Sequence, residues 1–81
     1  MSSKMPGKKV IGAKQTLKAI KNDNAETVYI AEDADKKVTK PIIEACLESG
    51  LEPVFVATMQ ELGRMCDIDV GAATACIVKK Q

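Results

Sequence analysis

The chain has 81 residues, 46% of them hydrophobic and 28% charged, with 12 Lys+Arg against 11 Asp+Glu and no histidine. This is too apolar for a disordered chain and too short for two domains, and the absence of histidine removes the commonest general base and metal ligand. The net charge of +1 argues against a general polyanion coat, but the charge is segregated: +6 over residues 1–22, −7 over 23–78 and +2 from Lys79 and Lys80, an asymmetry that suits a localised anionic partner.

Residues 1–7 read as a mobile basic tail, punctuated by Ser2, Ser3, Pro6 and Gly7, and residues 8–81 as a single domain. Lys8–Ile11 has the apolar pair of a short strand. From Gly12 the pattern turns helical: Ala13, Leu17 and Ile20 fall at i, i+4 and i+7 on one stripe, and Asn22-Asp23-Asn24 stops it. Thr27–Ala31 is a nearly continuous β-forming run, the signature of a strand covered on both faces. Glu32–Lys37 is a charged loop. A second helix is expected over about Thr39–Ser49, with Thr39 as cap, Pro41 in the first turn, and Ile42, Ile43, Cys46 and Leu47 as its apolar face. Gly50 supplies the stop, and Pro53–Ala57 reads as another buried strand.

Thr58-Met59-Gln60-Glu61 matches the S/T-x-x-E capping box and predicts a short helix to Met65 or Cys66. Asp67–Gly71 is a loop, and Ala72–Val78 a final strand of small residues. Strand and helix alternate in the order β-α-β-α-β-α-β, which predicts an α/β fold with a helix-covered sheet. Cys46, Cys66 and Cys76 are odd in number and form no CxxC, so they read as reduced packing residues of a cytoplasmic protein. No apolar run approaches the roughly 18 residues of a membrane span, so no membrane partner is expected.

Three features could carry chemistry. Lys14, Lys18 and Lys21 cluster on the polar side of the first helix with no acid at i±3 or i±4, and Gly12 leaves its N-terminus open, where backbone N–H groups favour an anion. The alternative is a solvated face that happens to be basic. Ile68 and Val70 alternate with Asp67 and Asp69, outside any clean period; they either fold back as a core plug or form an exposed contact surface. Glu32, Asp33 and Asp35 follow a strand, where α/β enzymes place metal and phosphoryl chemistry. Without a Gly-rich phosphate loop they read better as capping groups. Tyr29 and Phe55 are the only rings, and both fall in expected core strands, which speaks against an aromatic stacking platform.

The blocks Gly12-Ala13-Lys14-Gln15-Thr16-Leu17-Lys18-Ala19-Ile20, Val28-Tyr29-Ile30-Ala31-Glu32-Asp33-Ala34-Asp35 and Leu62-Gly63-Arg64-Met65-Cys66 resemble the ribosomal protein L-seven-Ae superfamily of kink-turn RNA binders, in its short bacterial branch. The likeness covers residues 8–80. It implies a three-layer α/β/α sandwich around a four-stranded mixed sheet, in a monomeric, non-enzymatic, cofactor-free protein. It also implies an RNA partner: the kink-turn, a sharply bent helix with a bulge and tandem sheared G·A pairs, in ribosomal or other structured RNA. In the family, a G-x-N-E-x-x-K segment reads those pairs. Gly12 and Lys18 match it, Lys14 stands for the Asn and Gln15 for the Glu. Gln15 can still accept from a guanine N–H through its carbonyl, and Lys14 offers a long donor to phosphate or guanine O6/N7. The family's second contact is the loop before the last strand, here Ile68, Asp69 and Val70. Met59 replaces a phosphate-touching Lys of many relatives, which leaves Arg64 as the nearby cation. The RNA-binding set implied is thus Gly12, Ala13, Lys14, Gln15, Lys18, Lys21, Glu32, Arg64, Ile68, Asp69, Val70 and Gly71. The competing expectations are a protein-interaction module built on Ile68 and Val70, and a metal-dependent phosphotransfer site on Asp33 and Asp35.

Overall fold

The computed structural model describes residues 8–79; the expected mobile tail over 1–7 lies outside the described residues, as do Lys80 and Gln81. The elements run β1 (Lys9–Ile11), α1 (Ala13–Lys21), β2 (Ala25–Ala31), α2 (Lys36–Glu48), β3 (Val54–Val56), α3 (Met59–Met65) and β4 (Thr74–Val78). They form the α/β fold with a mixed four-stranded sheet, in the strand order β1-β4-β2-β3. β4 pairs antiparallel with both β1 and β2, while β2 and β3 are parallel.

The last strand of the sequence therefore lies inside the sheet, and all five of its residues are buried. Side chains alternate across a strand. Cys76 and Val78 join Ile20, Val28, Ile30, Ile42 and Cys46 in a core beneath α1 and α2. Ala75 and Ile77 join Ala31, Val56, Leu62 and Cys66 in a second core beneath α3. Small residues in β4 are what a strand with helical layers on both faces requires. Thr74 is also buried, and its hydroxyl donates to Thr16 Oγ1 at 3.2 Å, tying α1 to the sheet.

Several local expectations need correction. The buried face of α1 is Thr16, Ala19 and Ile20, with Ala13 and Leu17 only half-buried. A purely apolar count missed Thr16 because its hydroxyl finds a partner inside the protein. α2 starts three residues earlier than expected: Asp35 is its cap, with Oδ1 accepting from Lys37 N at 2.9 Å, and Thr39 is buried within the helix. Pro41 consequently lies inside α2 rather than in its first turn. Leu47 is 70% exposed and belongs to no core. β3 is an edge strand, so it is not the buried strand that its composition suggests, and Phe55 is 50% exposed. The α3 cap is as expected, with Thr58 Oγ1 accepting from Glu61 N at 3.0 Å.

Candidate nucleic-acid interface

Strand directions place one set of loops together. β2 and β3 are parallel, and both β1 and β2 run antiparallel to β4. The C-terminal ends of β1, β2 and β3 and the N-terminal end of β4 therefore share one edge of the sheet. Hydrogen bonds fix the segments leaving that edge. Gly12 N donates to Thr74 O at 2.9 Å, Ala31 N to Ala73 O at 2.9 Å, and Glu32 N to Val56 O at 2.7 Å. Asp33 Oδ1 accepts from Met59 N at 2.8 Å, binding the β2–α2 loop to the first residue of α3.

α1 rises from this edge. Gly12 has φ 107° and ψ 153°, a region that essentially only glycine occupies, although a Cβ there would meet nothing within 4 Å. Glycine is needed for the backbone turn and not for space. No side chain caps the helix, and its first turn holds no acid, so its N-terminal N–H groups have no side-chain acceptor or local counter-charge. Lys14 and Gln15 are exposed in that first turn. Lys18 and Lys21 are exposed in the last turn, where a cation is favoured by the helix dipole. Lys14 has the opposite position: a cation near the positive end of the helix costs about 0.3–1 kcal/mol. At 1.5 Å per residue, Lys21 lies about 12 Å along the axis from Ala13, so it flanks the edge and is not part of it.

The second wall is the α3–β4 loop, and its conformation answers the question of core plug against contact surface by dividing the two residues. Ile68 is half-buried and packs on the core beneath α3; Val70 is 70% exposed. Asp69 and Gly71 are exposed too. The backbone is clamped to α3, with Ile68 N donating to Gly63 O and Ala72 N to Met59 O, both at 3.0 Å. A Cβ on Gly63 would collide with the Val70 carbonyl oxygen, and one on Gly71 would come within 3.1 Å of Met59 Cβ. Two glycines thus let loop and helix touch backbone to backbone, which sets Val70 facing outward.

Of the residues singled out in the sequence, this edge gathers Gly12, Ala13, Lys14, Gln15, Glu32 and the 68–71 loop. Lys18 and Lys21 continue outward along α1. Arg64 is exposed on α3 beside Thr58, Gln60 and Glu61, around a shallow depression of about 200 Å³. Residues that sequence reasoning passed over are Thr16 and Thr74, whose buried hydroxyls hold α1 on the sheet; Asp33, read there with Glu32 and Asp35 as a capping group, accepts from the start of α3. Neither threonine carried a local signal, since their pairing joins positions 58 apart. Asp33 and Asp35 each accept a backbone N–H at the start of a different helix, so they do not form a shared pair. Among the described residues, no group of three or more His, Cys, Asp or Glu side chains could hold a metal ion. Among the described residues, no helix is long and apolar enough to cross a membrane. Cys46, Cys66 and Cys76 are free and buried. Burial raises all three thiols, pushing Cys76 up to about 11 with a further contribution from Cys46 beside it.

The model of the ribosomal protein L7Ae/L30e/S12e/Gadd45 family matches residues 1–81. The chain belongs to this family. An RNA-binding protein of Caldanaerobacter subterraneus subsp. tengcongensis is 58% identical over 78 residues, covering 96% of this chain and 95% of that one. The large ribosomal subunit protein eL8 of Halobacterium salinarum is 40% identical over 68 residues, covering 83% of this chain and 57% of that one. Among solved structures, a 15.5kD RNA binding protein of Giardia lamblia superposes with a TM-score of 0.83 at 34% identity, covering 90% of this chain and 62% of that one.

Proposed function

We propose that this family member binds RNA and stabilises the bent form of a kink-turn, with the edge of the sheet as its reading face. The observation that supports this best is the convergence of two features of unlike chemistry. One is the uncapped start of α1 with Lys14 and Gln15; the other is the α3–β4 loop with Val70 outward. The first offers cationic and hydrogen-bonding groups to phosphates and guanine edges, and the second an apolar surface to an unstacked base. A bent RNA with a splayed nucleotide beside G·A pairs presents both at once, whereas a straight duplex presents only phosphates.

The mechanism is a population shift: contacts available only in the bent RNA favour that state by the differential binding free energy. Binding is expected to fall at least tenfold in a gel shift when the sheared G·A pairs are replaced by Watson–Crick pairs. Equal affinity for both RNAs sinks the kink-turn reading and leaves a general structured-RNA binder. The exposure of Val70 also permits a second reading, a protein-docking loop. Val70→Ser separates the two: loss of RNA affinity favours the first, while unchanged affinity with a lost protein partner favours the second.

A further inference from the structure

A groove between α2 and β3 shares only Glu32 with the face described above. It encloses about 620 Å³ and is lined by Ile30, Thr39, Ile43 and Phe55, with Lys36, Lys40, Glu32 and Glu44 among its polar groups. That volume is in the range of small-molecule sites. It exists because α2 packs on α1 and, through Ile42 and Cys46, over Val28 and Ile30 of β2, leaving that face of the outer strand β3 open while α3 lies against its other face. Phe55 lies across from Ile30 in the parallel register and is 50% exposed. An aromatic residue left half in water on an edge strand gives up favourable burial.

We propose that this groove holds one unpaired nucleotide of the bound RNA, its base against the Phe55 ring and its phosphate between Lys36 and Lys40. This rests on the RNA reading above and extends it to nucleotides beyond the kink. Lys36 and Lys40 are one helical turn apart on α2, so both ammonium groups project from one wall of the groove. Glu32 and Glu44 are acceptors only and match the amino N–H groups of adenine, cytosine or guanine. Glu32 also connects the groove to the reading face, since it directly follows β2 at the shared edge of the sheet. A peptide strand added to β3 is the poorer occupant. The strand has three residues and offers too short a ladder.

The test is an NMR titration of the isotope-labelled full chain with hexa-adenylate, carried out twice: on the protein alone, and on the protein saturated with a kink-turn duplex lacking single-stranded ends. Shifts at Phe55, Lys36 and Lys40 are expected in both series. Phe55→Leu keeps the apolar volume and removes the ring; it should weaken hexa-adenylate about tenfold and change duplex affinity less than twofold. The Lys36→Gln, Lys40→Gln double variant should do the same. If the duplex fails to bind while hexa-adenylate still shifts the groove, the kink-turn reading falls and the groove stands. Shifts confined to α1, or an undiminished affinity in Phe55→Leu, overturn the proposal. Silence of the groove at millimolar hexa-adenylate also overturns it and leaves the groove to a protein partner.

Discussion

At Lys14 the requirements of folding and of the proposed RNA contact oppose one another. Its charge stands in the first turn of α1, where it opposes the helix dipole, and it repels Lys18 one turn on by a few tenths of a kcal/mol. Lys14→Ala should therefore raise the unfolding free energy measured in urea slightly, by up to about 1 kcal/mol, while weakening RNA binding. Lys18→Ala should leave stability unchanged or slightly lower, since Lys18 favours the helix C-terminus, and should cost about 1–3 kcal/mol of discrimination if it reaches a guanine edge. A Lys14→Ala protein that is less stable with full RNA affinity contradicts this assignment. The lysine stripe was legible in the sequence because spacing alone places i, i+4 and i+7 on one face. Thr16 was not, since nothing in α1 reveals that its hydroxyl meets Thr74, 58 positions later.

Between elements, the feature that decides the shape of the face is the contact of α3 with the loop following it. The Gly63 position has no room for a side chain because Val70 O lies against it. Gly63→Ala should push the loop off the helix, at a cost of about 1–3 kcal/mol in unfolding free energy, and should lower RNA affinity with α1 untouched. A variant of wild-type stability and affinity contradicts the clamp. Elements with strong local signals were readable: Thr58-x-x-Glu61 caps α3 as its pattern says. The failures fell where tertiary placement overrides local pattern. Val54-Phe55-Val56 has the composition of a buried strand, but no local signal records that β3 is placed last in the sheet, with one edge unpaired. Likewise Asp35 outcompeted Thr39 as the α2 cap, and Pro41 is carried inside the helix.

For the whole molecule, the near-zero net charge sets attraction from one helix and its neighbours against an acidic remainder, which restrains non-specific binding to polyanions. Stability has its own pH signature. The Cys76 thiol is raised from 9.0 to about 11 in the folded protein, and Cys46 and Cys66 shift the same way. Folding therefore favours the protonated thiols. Their contribution is fully present below about pH 9 and is lost as pH rises through about 11, amounting for Cys76 to roughly 2–3 kcal/mol. Urea unfolding between pH 7 and 11 should show that decline, and Cys76→Ala should flatten it; an equal slope in the variant removes Cys76 as the cause. The family fold was visible in the sequence through three spaced blocks, because these are contiguous segments. The groove at Phe55 was not, because it depends on how α2 and the edge strand β3 are placed across the sheet, which no local pattern records. The most direct test of the RNA-bending claim is energy transfer between dyes on the two arms of a kink-turn RNA, titrated with this protein in low magnesium. Saturable growth in transfer, absent when the G·A pairs are replaced by Watson–Crick pairs, is the predicted result; binding without any change in transfer would contradict the account.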